Sequence, residues 1–217
     1  MRIALIHALK HSIAPIEQAF ARLWPDAVLA NLLDDSLSTD LAREGALSPA
    51  MTERFLTLAR YAASCGADGI LFTCSAFGPC IDACASELAP MPVLKPNEAM
   101  IDEAVAHAGA SGRIGLLATF APTLATMPAE FAAVAPQVTL VPALASDALA
   151  ALNRGDAAAH DRLAAEAARP LEGCDVVALA QFSLSSAASL VAQTTGRTVL
   201  TTPDSAVRKL QRLLQAA

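Results

Sequence analysis

Apolar and polar positions along the chain alternate between short continuous apolar runs and amphipathic stretches. "RIALIHA" (Arg2 to Ala8) is apolar without helical spacing, whereas "APIEQAFARLW", which follows it, has helical spacing. A buried run followed by a helix-spaced segment is typical of a strand that leads into a helix of an α/β protein. The pattern therefore predicts strand–helix units from the first residues onward.

Three blocks of this kind occur twice, in the same order. "RIGLLAT" (Arg113 to Thr119) repeats the first strand, "GCDVVALAQF" repeats "GADGILFTCS", and "VLTTPDSAVRKLQRL" repeats "VLKPNEAMIDEAV". The same sequence separation relates Asp68 to Asp175 and Pro96 to Pro203. The repetition predicts two parallel-sheet α/β halves, residues 1–96 and 97–203, related by a pseudo-twofold. We expect the C-terminal helix, residues 204–217, to pack on the first half.

Polar residues stand where the repeated strands end. Ligands of open parallel sheets bind at the carboxyl ends of the strands, so we expect these ends to face an active-site cleft between the halves. The ends are His7 and Ala8, Cys74 and Ser75, Thr119 and Phe120, and Gln181 to Ser183. In the internal alignment Gln181 takes the position of Cys74, so only one half carries a thiol there.

Composition narrows the classes of partner. The 54% hydrophobic content provides a sizeable core, and the net charge of −6, without a Lys/Arg cluster, argues against nucleic acid and anionic membranes as partners. Lys10, His11 and Glu17 interrupt the first segment too often for a secretory signal, and no apolar run has the ~18 residues of a membrane span. We therefore expect a cytoplasmic protein.

Cysteine usage indicates reduced thiols. The chain has five cysteines, an odd number, and no CxxC pair. Cys74, Cys80 and Cys84 lie close in sequence, but a zinc or iron–sulfur site would lack a fourth ligand nearby. We therefore expect no metal.

The repeated blocks resemble the aspartate/glutamate/hydantoin racemase superfamily, whose cofactor-independent enzymes include arylmalonate decarboxylase and maleate isomerase. The residues that carry the resemblance are "RIALIHA", "ADGILFTCSAFG", "RIGLLATFAPTL", "CDVVALAQFSLSSA" and "VLTTPDSAVRKL". The resemblance implies two facing bases, usually cysteines, one from each half, that remove and return a proton beside a carboxylate. Cys74 falls at the first position. Gln181 falls at the second, and glutamine cannot act as an acid or base near neutral pH.

The resemblance also implies a small carboxylate substrate, no cofactor and, as is common for this type of protein, a homodimer. It implies that hydroxyls and backbone amides hold the substrate carboxylate. The residues that match these positions are Thr73, Ser75, Thr119 and Ser183, with Phe120 beside them.

Cys74 is the main candidate for chemistry. A thiolate is weakly hydrated and suits proton removal in an apolar site, and a helix N-terminus lowers a thiol pKa. Because "GPCIDACASEL" after Cys74 has helical spacing and Pro79 near its start, we expect a lowered pKa for Cys74. The alternative is a small buried apolar residue, which we prefer for Cys65, Cys80, Cys84 and Cys174.

Histidines are the other titratable candidates. His7 ends the first strand and either returns the proton in place of a second cysteine or is a hydrogen-bonded structural histidine. His11 is a weaker candidate for this role. His107 and His160 lie in polar, helix-like segments, so we expect both to face solvent.

Two further segments could shape a site. Asp34, Asp35 and Asp40 belong to an acidic segment that we interpret as a solvated loop, with a helix cap at Ser38 or Ser48, or alternatively as a lid. Phe77, Phe120 and Phe182 lie near the strand ends. Apolar walls of this kind favour a carboxylate with an apolar or small side chain.

Several functions follow from these residues. The first is a racemase- or isomerase-type enzyme that uses Cys74 for proton transfer at the carbon alpha to a carboxylate. Because the second thiol is missing, an arylmalonate-type decarboxylase with one cysteine, or an isomerase in which Cys74 attacks a double bond, also fits. A non-catalytic protein that binds a small carboxylate is the alternative from another class.

Overall fold

The computed structural model describes residues 1–216 and contains eight strands and ten α-helices in that range. The strands are β1 (Arg2–His7), β2 (Val28–Leu33), β3 (Gly69–Phe72), β4 (Val93–Leu94), β5 (Arg113–Ala118), β6 (Thr139–Leu144), β7 (Val176–Leu179) and β8 (Thr198–Thr201). The helices are α1 (Ile13–Leu23), α2 (Ser36–Glu44), α3 (Pro49–Ser64), α4 (Gly78–Glu87), α5 (Glu98–Ala108), α6 (Ala121–Val134), α7 (Ser146–Asn153), α8 (Ala157–Ala167), α9 (Ala188–Thr195) and α10 (Thr202–Gln215). Short 3₁₀ helices cover Lys10–Ser12, Ser75–Phe77, Arg169–Gly173 and Phe182–Ala187.

The strands form two parallel sheets of four. The strand order is β2-β1-β3-β4 in the first sheet and β6-β5-β7-β8 in the second. The chain divides into unit 1, Met1–Pro96 with the segment from Ala206 onward, and unit 2, Asn97–Ser205. The two parallel-sheet α/β halves predicted from the repeated blocks are confirmed.

The repeat extends to individual hydrogen bonds. In unit 1 the Arg2 backbone N–H donates to Asp68 Oδ2 at 2.7 Å, and the Asp68 N–H donates to the Arg2 carbonyl at 2.8 Å. In unit 2 Arg113 and Asp175 form the same two bonds at the same 2.7 and 2.8 Å. The aspartate that precedes the second central strand therefore fixes the start of the first central strand in each sheet.

Alternation along β1 decides which side chains enter the unit 1 core. Ala4, Ile6 and Ala8 belong to a core cluster with Phe55 and Phe72, whose ring centroids are 5.3 Å apart. Successive side chains of a strand point to opposite faces, so His7 points away from this cluster. Thr73 likewise follows Phe72 on the opposite face, because Phe72 packs in the cluster.

Helix α10 packs against β3. A Cβ atom at Gly69 would stand 3.2 Å from a methyl carbon of Leu210 and 3.2 Å from one of Leu214. The absence of a side chain at Gly69 therefore allows the helix to approach the strand closely.

The acidic segment is predicted as a solvated loop, but from Ser36 to Glu44 it forms helix α2; Asp40 lies in this helix, and Asp34 and Asp35 directly precede it. Helix α2 ends at Gly45, whose φ of 74° is readily adopted by glycine. The predicted cap at Ser48 is confirmed, because its side chain accepts a hydrogen bond from Met51 N at 3.2 Å. The alternative cap at Ser38 is wrong, since Ser38 lies inside α2.

Helix α2 is held to helix α3 by Arg54. The guanidinium donates to both carboxylate oxygens of Asp34, from Nε at 2.8 Å and from Nη2 at 2.7 Å, and from Nη1 to Asp40 at 2.7 Å. It also contacts the Ser36 hydroxyl. Asp34 and Asp40 are therefore structural partners of one arginine.

No helix within residues 1–216 is both long enough and apolar enough to cross a membrane.

Candidate active site

Cys74 lies two residues beyond the end of β3, in an extended conformation, and directly before the 3₁₀ helix that leads into α4. Its side chain is half-buried and packs against the unit 1 core cluster. The Ala76 backbone N–H and the Ser38 hydroxyl lie near the sulfur, where hydrogen bonding from them favours the thiolate. The site therefore combines a thiol, an apolar wall and two donors that favour the thiolate.

Burial among protein atoms raises the pKa of Cys74 above its ordinary value, although the hydrogen bonds from Ala76 and Ser38 lower it. The sequence predicted a lowered pKa, and this prediction is wrong in direction. The predicted donor at the start of the following helix is present, but the loss of hydration outweighs it. In the free protein the resting form of Cys74 near neutral pH is the thiol.

Ser38 also faces a second acceptor. Its hydroxyl is 3.3 Å from the carbonyl oxygen of Ala8, at the end of β1. A hydroxyl has one proton to donate, so it serves either this carbonyl or the sulfur at a given moment. Ionisation of Cys74 favours the bond to sulfur, because hydrogen bonds to a charged acceptor are stronger.

His7 and Thr73 form a buried pair on the other face of the sheet. His7 Nδ1 is 2.8 Å from Thr73 Oγ1, and His7 Nε2 is 2.9 Å from Asn31 Oδ1. Both ring nitrogens thus have a side-chain partner, and the imidazole is fully buried. Burial lowers the pKa of His7, while the Asn31 hydrogen bond and the negative charge of Glu17 raise it by less. His7 is therefore neutral near pH 7.

The residues predicted to hold the substrate differ in exposure. Thr73 and Thr119 are buried, with 4% and 2% exposure, whereas Ser75 and Ser183 are half-buried. Each threonine hydroxyl is bound within its own unit, Thr73 to His7 and Thr119 to Gln181. Substrate binding by these four residues stays a prediction.

Gln181 directly precedes the 3₁₀ helix that follows β7, the position that Cys74 has after β3. Its Oε1 accepts hydrogen bonds from the Thr119 N–H at 2.6 Å and the Thr119 hydroxyl at 2.8 Å. The end of β5 therefore fixes the orientation of the amide. This position offers amide N–H donors but no group that titrates.

The aromatic side chains do not form the wall that we predicted. Phe77 and Phe182 are buried, the first in the unit 1 core cluster, because the 3₁₀ turns direct them inward. Phe120 alone is exposed, at 49%. Leu9 follows β1 with one residue between them, as Phe120 follows β5, and Leu9 is 45% exposed. An exposed apolar side chain therefore occupies the equivalent position in both units.

The remaining thiols are poor candidates for chemistry. Cys80, Cys84 and Cys174 are buried, and burial raises the pKa of Cys84 to about 12. Cys65 is exposed at the end of α3, so its predicted burial is wrong. Among residues 1–216 no group of three or more His, Cys, Asp or Glu side chains could hold a metal ion.

The prediction that His160 faces solvent is wrong. The side chain is buried, because α8 packs its Ala159–His160 side inward. Nδ1 of His160 is 2.8 Å from Asp161 Oδ1, which also accepts from the Ser186 hydroxyl at 2.7 Å. Nε2 of His160 has no hydrogen-bond partner within the described part of the chain. His107 is exposed, as expected.

Sequence reasoning missed Ser38, Asn31 and Glu17. Asn31 had a detectable signal, since it is the one polar residue in the apolar run "AVLANLL". Ser38 had none, because its contact with Cys74 depends on how α2 folds back. Glu17 lies on α1, and only its hydrogen bond from Asn31 Nδ2 at 2.7 Å distinguishes it from other surface carboxylates.

Comparison with solved structures shows the fold. Glutamate racemase isoform RacE1 from Bacillus anthracis superposes with a TM-score of 0.73 at 15% identity, covering 99% of this chain and 81% of that chain. Allantoin racemase from Klebsiella pneumoniae gives a TM-score of 0.73 at 18% identity, with 100% and 88% covered. A mutant of arylmalonate decarboxylase in its sulfate-associated form gives 0.66 at 20% identity, with 100% and 94% covered.

The comparison by sequence gives the family. No curated protein matches the sequence. The profile of the Asp/Glu/hydantoin racemase family matches residues 13–210, which is most of the chain. This protein therefore belongs to the Asp/Glu/hydantoin racemase family.

Proposed function

We propose that this protein is a cofactor-independent, isomerase-type enzyme that transfers a proton at the carbon alpha to a carboxylate, with Cys74 as the catalytic thiol. The observation that carries the proposal is the setting of Cys74: a half-buried sulfur beyond β3, with the Ser38 hydroxyl and the Ala76 N–H as donors to it. A proton beside a carboxylate is weakly acidic, so its base must be close and its conjugate form stabilised.

In this reaction the Cys74 sulfur is the one protein group that takes up and releases a proton. Cys74 first loses its thiol proton to solvent. The thiolate then takes the proton from the alpha carbon, and the electron pair is delocalised into the carboxylate as an enolate. Ser38 and Ala76 stabilise the thiolate before the transfer. A water molecule protonates the opposite face of the enolate, and Cys74 then returns its proton to solvent. Isomerisation results, with no net change in composition.

Decarboxylation is the second candidate, and Gln181 is the observation that favours it. Its amide is fixed by Thr119 and supplies no acid or base where the resemblance implies a second cysteine. In this reaction a malonate-type substrate loses carbon dioxide, and the electron pair remains as an enolate. The neutral Cys74 thiol gives its proton to that carbon, and water reprotonates the thiolate. A single proton donor gives one enantiomer.

The first experiment measures hydrogen–deuterium exchange at the alpha carbon by NMR in D₂O. The panel contains amino acids, hydantoins, hydroxy acids and aryl or alkyl malonates. We expect exchange with one class, and Cys74→Ala to reduce its rate by about 10²–10⁴-fold, the usual contribution of a general base. Cys65→Ala is the matched control, since Cys65 is exposed at the end of α3, and its rate should be unchanged.

The product separates the alternatives. Racemic product without carbon dioxide identifies the isomerase, and carbon dioxide with one enantiomer identifies the decarboxylase. Exchange that persists in Cys74→Ala contradicts the role of Cys74 in both. If no substrate turns over while a carboxylate raises the melting temperature, the protein is a binding protein and the proposal is wrong.

A further inference from the structure

Four side chains connect the surface of unit 1 to the residue before Cys74. Glu17 Oε1 accepts from Asn31 Nδ2 at 2.7 Å, Asn31 Oδ1 is 2.9 Å from His7 Nε2, and His7 Nδ1 is 2.8 Å from Thr73 Oγ1. Glu17 and Asn31 are exposed, whereas His7 and Thr73 are buried. Helix α1, strands β2 and β1 and the end of β3 each contribute one member. We call this set the Glu17–Thr73 chain.

The charge of Glu17 determines the direction of every hydrogen bond in the chain. An ionised carboxylate only accepts, so the Asn31 amide must present its NH₂ to Glu17 and its oxygen to His7. An amide oxygen also only accepts, so His7 Nε2 must carry the ring proton. In the neutral ring Nδ1 is then an acceptor, and the Thr73 hydroxyl donates to it. A surface carboxylate thereby sets the tautomer of a buried imidazole.

The chain ends at the backbone that presents the thiol. Thr73 immediately precedes Cys74, and its N–H donates to the Ile6 carbonyl at 3.0 Å. Its own carbonyl accepts from the Ser12 hydroxyl at 3.4 Å. Its hydroxyl is 2.8 Å from His7 Nδ1 and also 3.5 Å from the Ile6 carbonyl oxygen, so the short contact to His7 is the stronger of its two side-chain contacts. The segment that carries Cys74 is therefore fixed from strand β1, from the 3₁₀ helix before α1, and through His7 from β2.

We infer that His7 is a positioning residue, held in its Nε2–H tautomer by Asn31 and Glu17, and that it orients Thr73 and thereby Cys74. This inference rests on the proposed function. It assigns roles to Glu17 and Asn31, and it replaces the proton-return role predicted for His7, since both ring nitrogens are used within the chain of hydrogen bonds.

The tautomer is tested without any substrate. Long-range ¹⁵N–¹H NMR of ¹⁵N-histidine-labelled protein distinguishes protonated from acceptor ring nitrogens, and His7→Gln assigns the signal among the four histidines. We expect the Nε2–H form with Nδ1 as an acceptor. Asn31→Ala should mix the two tautomers, while Asn153→Ala, at an exposed asparagine of unit 2, should leave the His7 signals unchanged. An Nδ1–H form in the unsubstituted protein overturns the inference.

The positioning role is tested on the thiol itself. In a Cys65→Ala background, the alkylation rate of Cys74 reports its environment without turnover. Thr73→Val removes the hydroxyl at similar size, and we expect its rate to change by about threefold or more, whereas Thr73→Ser should stay near the rate of the unsubstituted protein. Equal alkylation rates for both variants overturn the inference.

Turnover provides the third readout. With a substrate from the exchange panel, Asn31→Ala and Thr73→Val should lower kcat about tenfold while KM changes less than about twofold, because small displacements of a reacting group reduce the rate more than binding. An unchanged kcat in Thr73→Val overturns the inference. If the unsubstituted protein has no activity, the proposed function fails, and the NMR and alkylation results still decide the hydrogen-bond chain.

Discussion

The ionisation of Cys74 depends on two competing effects at a single atom. Burial of the sulfur raises its pKa, while the donors from Ala76 and Ser38 lower it. The resting thiol suits a proton donor, and the two donors favour formation of the thiolate. A substrate carboxylate beside the sulfur would raise the pKa further, because a like charge disfavours ionisation.

The first prediction concerns this balance. In a Cys65→Ala background, the pH dependence of Cys74 alkylation should give a pKa above the ordinary thiol value. Ser38→Ala should raise the pKa further, because it removes a donor to the thiolate. Thr39→Ala changes the neighbouring exposed hydroxyl of the same helix and should leave the pKa unchanged. A lower pKa in Ser38→Ala would contradict the contact between Ser38 and the sulfur.

The second prediction concerns His7 and pH. Burial lowers the pKa of His7 in the folded protein, so between its folded value and the unfolded value of 6.5 the unfolded chain binds more protons. The contribution of His7 to stability is therefore fully present above pH 6.5 and is lost as pH falls toward the folded pKa. We expect the free energy of unfolding, from urea titrations, to decrease from pH 7 to pH 5.

His7→Gln should make this decrease smaller, because glutamine does not titrate. His107→Gln is the control, since His107 is exposed at the end of α5, and its pH dependence should match that of the unsubstituted protein. Glu17 is the charged group that acts on His7. Equal pH dependence in His7→Gln and the unsubstituted protein would be inconsistent with a neutral, buried His7.

At the scale of elements, α2 determines whether Ser38 reaches the sulfur. Only Leu37 of this short helix is buried, so apolar packing fixes it weakly. Arg54 on α3 supplies the missing attachment through a bidentate bond to Asp34 and a third bond to Asp40. The position of Ser38 is therefore held by a partly buried ionic network.

The third prediction is that Arg54→Ala destabilises unit 1 by about 1–2 kcal/mol, because the charge-assisted hydrogen bonds from Arg54 to Asp34 and Asp40 are lost. Arg60→Ala is the matched control on the same helix. Its partners Glu53 and Glu87 are more exposed, so we expect a smaller loss of stability than in Arg54→Ala. Urea denaturation measures both. A larger loss in Arg60→Ala would contradict this account of the network.

The same variant tests the link to Cys74. Release of α2 should accelerate proteolysis near Gly45 and increase the alkylation rate of Cys74, because the helix covers part of its surroundings. Arg60→Ala should change neither rate. Alkylation at an unchanged rate in Arg54→Ala would show that α2 does not control access to the thiol.

At the scale of the whole molecule, the two units have the same arrangement of strands. The two sheets have corresponding strand orders, and the Arg2–Asp68 and Arg113–Asp175 contacts have equal distances. Leu33 and Leu144, the last residues of β2 and β6, are both exposed, at 45% and 43%. The side chains at the equivalent strand ends differ, since one unit carries Cys74 and the other Gln181.

The fourth prediction uses this duplication. Asp68→Ala and Asp175→Ala each remove one exposed hydrogen bond to a strand start and should each cost about 0.5–1.5 kcal/mol. The two sites share no partner, so the cost of the double variant should equal the sum within about 0.5 kcal/mol. Denaturation in urea gives the three values. A clear departure from the sum would mean that the two contacts do not act independently.

The sequence by itself determined the duplicated α/β architecture, the parallel strands, the thiol beyond β3 and the glutamine at its counterpart. These features depend on periodicity, on repeated blocks and on residues a few positions apart, all of which are local in sequence. Tertiary structure alone decided the burial of Cys74 and hence the direction of its pKa shift. It also decided the approach of Ser38, the attachment of α2 by Arg54 and the hydrogen-bond chain from Glu17 to Thr73. Each of these joins residues that are distant in sequence, so desolvation and hydrogen-bond direction are defined only after the elements have packed.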